Sequence, residues 1–154
     1  MVESSTRVER TLRLDAPLAE AWEMLLDVPR WGMLFPHVDT IEPMGEGQYL
    51  WRMEPLGPPG RKVRVVYACR YDSDEATRTL TWTPVEGVGN AAFAGACAIE
   101  PDGAAATVGH LQLDATLQIP VPGFLSAIVH PAVDLEMTRL TAIFAERLTD
   151  LMGA

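Results

Sequence analysis

The side chains that could do chemistry in this chain are two thiols, three imidazoles and a few inward-phased arginines and tyrosines. Cys69 and Cys97 would need a base beside them to act as nucleophiles, but both fall in the middle of strand-like segments. In an antiparallel meander one strand, Thr77–Thr83, separates theirs. Their backbones are then ~9–10 Å apart at the usual strand spacing, beyond the ~7 Å reach of a disulfide. The expectation is a pair of free thiols, buried as small hydrophobes. His37, His110 and His130 show no metal-ligand spacing, so neither a metal site nor a cofactor is expected. His110 and Asp114 share a strand face with Gln112, Thr116 and Gln118, which reads as a solvated face. His130 precedes Pro131 and marks a helix break. His37, after Pro36, is the one histidine with a case as a ligand contact. Arg10 and Arg78 fall on the apolar phase of their strands. An inward arginine can grip a carboxylate with two hydrogen bonds, yet both lie near strand beginnings, where the head group reaches water along its own stem. Tyr67 and Tyr71 share an inward phase, either as hydrogen-bonding groups toward a ligand or as core tyrosines. The loop Glu54–Gly60, with Pro55, Pro58 and Pro59, reads as a gate or as a stiff hairpin connection.

The elements that position these residues are legible from periodicity. Arg7, Glu9, Thr11 and Arg13 alternate with Val8, Leu12 and Leu14, a half-buried strand. Asp15 offers an N-cap and Pro17 fits the first turn of a short helix with Leu18, Ala21, Trp22, Leu25 and Leu26 on one stripe. Pro29 interrupts it, and Pro36 bounds a second helical piece holding Trp31, Met33, Leu34 and Phe35. Strands are expected at Val38–Pro43, Gln48–Met53, Arg61–Tyr71, Thr77–Thr83, Ala91–Glu100 and Ala106–Ile119, divided by turn signals such as Asp72-Ser73-Asp74 and Pro101-Asp102-Gly103. Alternation gives this sheet one polar face and one apolar, aromatic-rich face. A long helix closes the chain, with Val133, Met137, Leu140, Phe144, Leu148 and Leu151 on its apolar side. Pro131 suits a first turn, so the helix is expected to run from Pro131 to Met152, about 33 Å at 1.5 Å per residue.

Composition bounds the partners. The chain has 154 residues, 48% hydrophobic and 21% charged, which predicts one ordinary globular domain spanning 1–154. Twelve basic residues against 21 acidic ones give a net charge of −9, which repels nucleic acid and anionic membrane surfaces alike. The cluster Arg61, Lys62 and Arg64 alternates with apolar residues and reads as the outer face of a strand. No apolar run is long enough for a transmembrane segment. The start, Met-Val-Glu-Ser-Ser-Thr, lacks the pattern of a secretory signal, and the expected compartment is the cytoplasm.

Strand, two short helices, antiparallel meander and long C-terminal helix together resemble the START-like (SRPBCC) superfamily and its helix-grip fold. The likeness rests on Leu14-Asp15-Ala16-Pro17 with Ala21-Trp22, on Asp27, Trp31, Pro36 and Val38, on Gly95 with Glu100-Pro101-Asp102-Gly103, and on Pro120 and Pro122 before the last helix. It is nearest the branch of polyketide cyclase/dehydrase-like and coenzyme Q-binding proteins. The resemblance implies an α+β fold, a curved antiparallel sheet of about seven strands wrapped around the C-terminal helix, often with an apolar cavity between them. It makes the inward residues candidate ligand contacts. Trp31 and Phe35 would stand at the mouth, with Trp51, Val65, Tyr67, Tyr71, Trp82 and Phe93 on strands. Leu111 and Leu113 would lie deeper, and Met137, Leu140 and Phe144 would face them from the helix. The same residues also read as a filled core, and spacing alone does not separate the two; the resemblance favours the cavity.

Three functions remain open on this reading. One is a carrier of a small hydrophobic molecule, such as a lipid, isoprenoid or polyketide-like compound. Another is an aromatase/cyclase-like enzyme, in which a few polar groups move protons. The third is an assembly module with a protein partner. The inward residues include few ionisable groups, which favours the carrier and leaves no catalytic residue assigned.

Overall fold

The computed structural model describes residues 1–55, 59–60 and 62–152. Arg61 and residues 56–58, on which part of the expected gate and of the basic cluster fall, lie outside the described residues. The chain runs β1 (Val2–Leu14), α1 (Leu18–Leu26), α2 (Val28–Gly32), β2 (Val38–Gly45), β3 (Gln48–Met53), β4 (Val66–Asp74), β5 (Thr79–Pro84), β6 (Ala91–Pro101), β7 (Thr107–Ile119) and α3 (Ser126–Met152). A short 3₁₀ turn, Gly123–Leu125, leads into α3.

The strands form one antiparallel sheet in the order β1-β7-β6-β5-β4-β3-β2. Consecutive strands from β2 to β7 are neighbours, and β1 returns to pair with β7 over its whole length, from Val2 opposite Ile119 to Leu14 opposite Thr107. The apolar face of the sheet is covered by α1 and α2 at one end and by α3 along its length. This is the helix-grip arrangement that the resemblance implies.

Several boundaries differ from expectation, each for a local reason. β1 begins at Val2, because Val2 and Ser4 continue the inward phase that the sequence shows clearly only from Val8. Ser4 is fully buried and its hydroxyl meets His130 Nδ1 at 2.8 Å. Asp15 does not cap α1. Pro17 holds the N-cap position, with no side-chain cap, and its carbonyl accepts from the Ala21 amide at 3.0 Å. The buried stripe of α1 is Ala21, Trp22, Met24 and Leu25, while Leu26 is exposed. Asp27 caps α2, accepting from the Arg30 amide, and Pro29 sits in the first turn of that helix rather than between two others. Met33, Leu34 and Phe35 follow α2 in tight turns.

β4 starts at Val66, later than expected, because the Asn90 side chain takes over its lead-in. Asn90 Oδ1 accepts from the Val66 amide and Nδ2 donates to the Arg64 carbonyl, both at 2.9 Å. β4 runs through Asp74, past the expected turn at Asp72. The Asp74 carboxylate then accepts from the Ala76 and Thr77 amides and ends the strand. In α3 there is no break at His130. The helix starts at Ser126 and carries Pro131 inside it, which leaves the Ala127 carbonyl without its usual i+4 donor. At 27 residues α3 is about 40 Å long. Cys69 and Cys97 are free and buried on β4 and β6, with β5 between them.

The main core gathers under α1, α2 and the C-terminal half of α3, around Trp22, Trp31, Trp51, Trp82, Phe144 and Leu148. A smaller apolar cluster, Ala115, Val133 and Met137, lies under the N-terminal half of α3. Two fully buried hydroxyls in the core are satisfied by backbone carbonyls: Thr107 donates to Ala16 at 2.8 Å and Thr141 to Met137 at 2.7 Å.

Candidate functional site

Three volumes that share lining residues lie between the sheet and the helices. The innermost is about 30 Å³ and is bordered by Leu12, Leu14, Met24, Ile99 and Leu148, together with Trp31, Phe35, Trp82, Leu111, Leu113 and Phe144. The next, about 60 Å³, has Trp51, Tyr67, Cys69 and Tyr71 on one side and Met137 and Leu140 on the other. The outermost is a cleft of about 320 Å³ between the lead-in to β4, the end of β7 and the first half of α3.

The two inner volumes are small because aromatic rings fill the grip. Trp31 is the hub, its ring centre 5.9 Å from Trp51, 6.0 Å from Trp82 and 6.1 Å from both Tyr71 and Phe144. Its indole N–H donates to the Leu25 carbonyl at 2.9 Å, fixing the ring. Phe35 stacks on Phe144 at 4.1 Å. Trp31 is buried and Phe35 partly buried, and both border the two inner volumes. Leu111 and Leu113 border the innermost volume. Trp82, Tyr71 and Trp51 line the middle volume, and Tyr67 stacks between Trp51 (5.5 Å) and Phe93 (4.1 Å).

A water occupies about 30 Å³ of liquid, so the inner volumes suit one or two waters or a single functional group, and of these three volumes the cleft is the ligand-sized one. Val65, Phe93, Met137 and Leu140 of the expected contacts border it. So do Met53, Leu117, Ile119, Val129, Ala132 and Val133, with His37 and Glu136 as the polar residues of its lining. Val133 lies on the apolar side of the helix read from the sequence, but nothing in the pattern singles out the unfilled stretch of an apolar face. Met53, Phe93, Met137 and Leu140 border both the cleft and the middle volume. Two of these dividing side chains are methionines, which are unbranched and adapt readily.

The electrostatics are those of an uncharged interior with a polar rim. Burial pushes both the Cys69 and Cys97 thiols up to about 12. It also raises Tyr67 and Tyr71 well above the usual phenol range. All four are neutral near pH 7, and the Cys69 thiol donates to the Phe93 carbonyl at 3.3 Å. At the rim, Arg139 donates to both Glu136 oxygens, at 2.6 and 3.1 Å. These bonds hold the Glu136 carboxyl below the usual carboxylate range against a smaller effect of burial, and the nearby His37 acts in the same direction. His37 has a left-handed backbone, φ 68°, and its carbonyl accepts from the Glu54 amide at 2.7 Å.

The other sequence candidates lie elsewhere. Arg10 is exposed and does not enter the interior. Arg78 packs its guanidinium 5.6 Å from the Trp22 ring centre and pairs with Glu75 at 3.6 Å. His110 meets Glu100 on the outer face, at 3.2 Å, and Asp114 pairs with Arg7. Among the described residues no three His, Cys, Asp or Glu side chains converge as a metal site, and no helix is long and apolar enough to cross a membrane.

Comparison with known proteins bears on this geometry. Among solved structures, a START superfamily protein from Mycobacterium smegmatis aligns with a TM-score of 0.71 at 16% identity, covering 96% of this chain and 97% of that one. The Zhui aromatase/cyclase from a Streptomyces species aligns at 0.64 and 20% identity, covering 93% of each chain. A point mutant of norcoclaurine synthase from Thalictrum flavum, in complex with a transition-state analogue, aligns at 0.61 and 16% identity, covering 99% of this chain and 96% of that one. At these identities the likeness is one of fold. A comparison with curated protein sequences finds no significant match. The model of the polyketide cyclase/dehydrase and lipid transport family matches residues 5–149. With that match spanning the sheet and nearly all of α3, the chain belongs to the polyketide cyclase/dehydrase and lipid transport family.

Proposed function

We propose that this protein binds a small hydrophobic molecule, of lipid, isoprenoid or polyketide-like character, in the cleft between the sheet and the first half of α3. The observation that carries this reading is the cleft itself: about 320 Å³ of space walled by aliphatic, methionine and phenylalanine side chains. Removing apolar surface from water contributes about 25 cal/mol per Å², and such a pocket with a few polar groups is the usual form of a small-molecule site. Among the described residues no Asp, Glu, Lys, Arg or His lines the two inner volumes, which favours binding over chemistry. A second reading, cyclisation of a reactive ketone in the same cleft, is favoured by one observation, the presence of His37 and Glu136 together on its border. Both readings are compatible with the family and with its aromatase/cyclase neighbour.

The test is native mass spectrometry of the gently purified protein, followed by denaturing extraction. A stoichiometric adduct that is released on denaturation, and is apolar, supports the carrier. A bare chain that also gives no thermal shift with a panel of lipids and aromatic compounds overturns it.

A further inference from the structure

We propose that the middle volume is the oxygen-binding end of the ligand site, where the Trp51 indole N–H donates to a neutral carbonyl oxygen of the bound molecule. This rests on the ligand-binding reading above and adds a specificity determinant to it. Trp51 is 3% exposed, and its Nε1 is buried without a hydrogen-bond partner. An indole N–H can only donate, and buried donors in folded proteins nearly always find an acceptor. The other donors of the region are accounted for differently. Trp31 Nε1 is spent on the Leu25 carbonyl and the Cys69 thiol on the Phe93 carbonyl. The Tyr71 hydroxyl lies near both the Trp51 indole and the Cys69 thiol, yet makes no hydrogen bond of ordinary geometry with the indole N–H.

The chemistry of the volume selects the acceptor. Its lining includes tryptophan, tyrosine and cysteine but no lysine, arginine or histidine. A carboxylate there would be a buried charge without a counter-charge. A saturated chain would leave the Trp51 N–H unpaired. A ketone or quinone oxygen satisfies it at no cost in charge. The size agrees: about 60 Å³ holds a carbonyl group, and about 320 Å³ in the adjoining cleft holds the hydrocarbon body. The partition between them includes Met53 and Met137, which can give way to an entering group.

The experiment compares 2-acetylnaphthalene with 2-ethylnaphthalene, a matched pair with and without the carbonyl, binding to the native chain and to Trp51→Phe. The substitution removes the N–H and keeps an aromatic ring. Expected is a loss of about three- to tenfold in affinity for the acetyl compound alone, the net value of one hydrogen bond. If both compounds bind the native chain and the substitution weakens them equally or not at all, the oxygen subsite is overturned while the cleft stands. If neither compound binds the native chain, the cleft reading fails and this one with it. A measurement on the native chain alone guards against a misfolded variant. The carbonyl stretch of bound, ¹³C-labelled 2-acetylnaphthalene should fall below its value in a hydrocarbon solvent, and an unshifted band overturns the hydrogen bond.

Discussion

At the residue scale, the interior tolerates neither added atoms nor added charge. Gly95 lies between β5 and β7, opposite Trp82 and Leu113. A Cβ there would stand 2.2 Å from the Gln112 carbonyl oxygen and 2.7 Å from the Trp82 ring. Backbone cannot yield as a side chain does, so Gly95→Ala should cost about 3 kcal/mol and lower Tm by roughly 2–4 °C per kcal/mol for a chain of this size. An unchanged urea midpoint would show that the ring does not pack on this strand. The thiols make a second prediction. Their folded pKa values, about 12, lie above the unfolded value. From about pH 9 upward the unfolded chain releases protons that the folded chain retains. Stability therefore falls as pH rises through that window, by about 1.4 kcal/mol per unit for each thiol. The raised Tyr67 and Tyr71 steepen the fall above about pH 10. Urea unfolding between pH 8 and 11 measures the slope, and Cys97→Ala should flatten it by one thiol's share. A slope that Cys97→Ala leaves unaltered would mean the thiol already ionises in the folded state.

At the scale of elements, α3 shows what sequence reading captures and what it misses. Its buried residues, Val133, Met137, Thr141, Phe144, Ala145 and Leu148, recur at helical steps. All but Thr141 and Ala145 belong to the apolar stripe read from the sequence. Thr141 breaks that stripe by hydrophobicity but is fully buried, because its hydroxyl bonds back to its own helix. The meander from β2 to β7 was legible for the same reason, since period-two alternation and turn residues are local signals. The return of β1 to pair with β7 is non-local and carries no such signal. The start of α3 was not legible, because Pro131 is a local stop signal that packing overrides. The division of the apolar face was not legible either. Trp31 and Val133 carry the same hydrophobic signal, yet one plugs the grip and the other borders an open cleft. That difference depends on distances between elements far apart in sequence. If Pro131 is tolerated only at a cost, Pro131→Ala restores a donor for the Ala127 carbonyl and should raise stability by about 1–3 kcal/mol. Thermal melting tests this, and a lowered Tm would mean that the proline's fixed φ contributes more than the missing hydrogen bond.

At the scale of the whole molecule, stability and binding are assigned to opposite ends of one sheet. The aromatic cluster under α1, α2 and the second half of α3 is closely filled, and truncation there, as in Phe144→Ala, should cost about 3–5 kcal/mol. The smaller cluster under the first half of α3 leaves the cleft open and holds less of the core. A ligand seated in that cleft adds stability by mass action, about 2.7 kcal/mol at a hundred times its Kd, which is roughly 5–11 °C in Tm. Val133, 8% exposed, borders the cleft from α3. Val133→Trp should fill the cleft with the protein's own ring. The prediction has two parts that must hold together. Without ligand the variant should melt no lower than the native chain, because the ring enters existing space. With 2-ethylnaphthalene, which tests the cleft independently of the Trp51 N–H, the native chain should gain in Tm and the variant should not. A ligand shift that survives in Val133→Trp would move the site elsewhere on the molecule. A variant that melts well below the native chain would show that the first half of α3 packs too closely to take a guest of this size. Either result would break the separation between a filled end that folds the chain and an open end that binds.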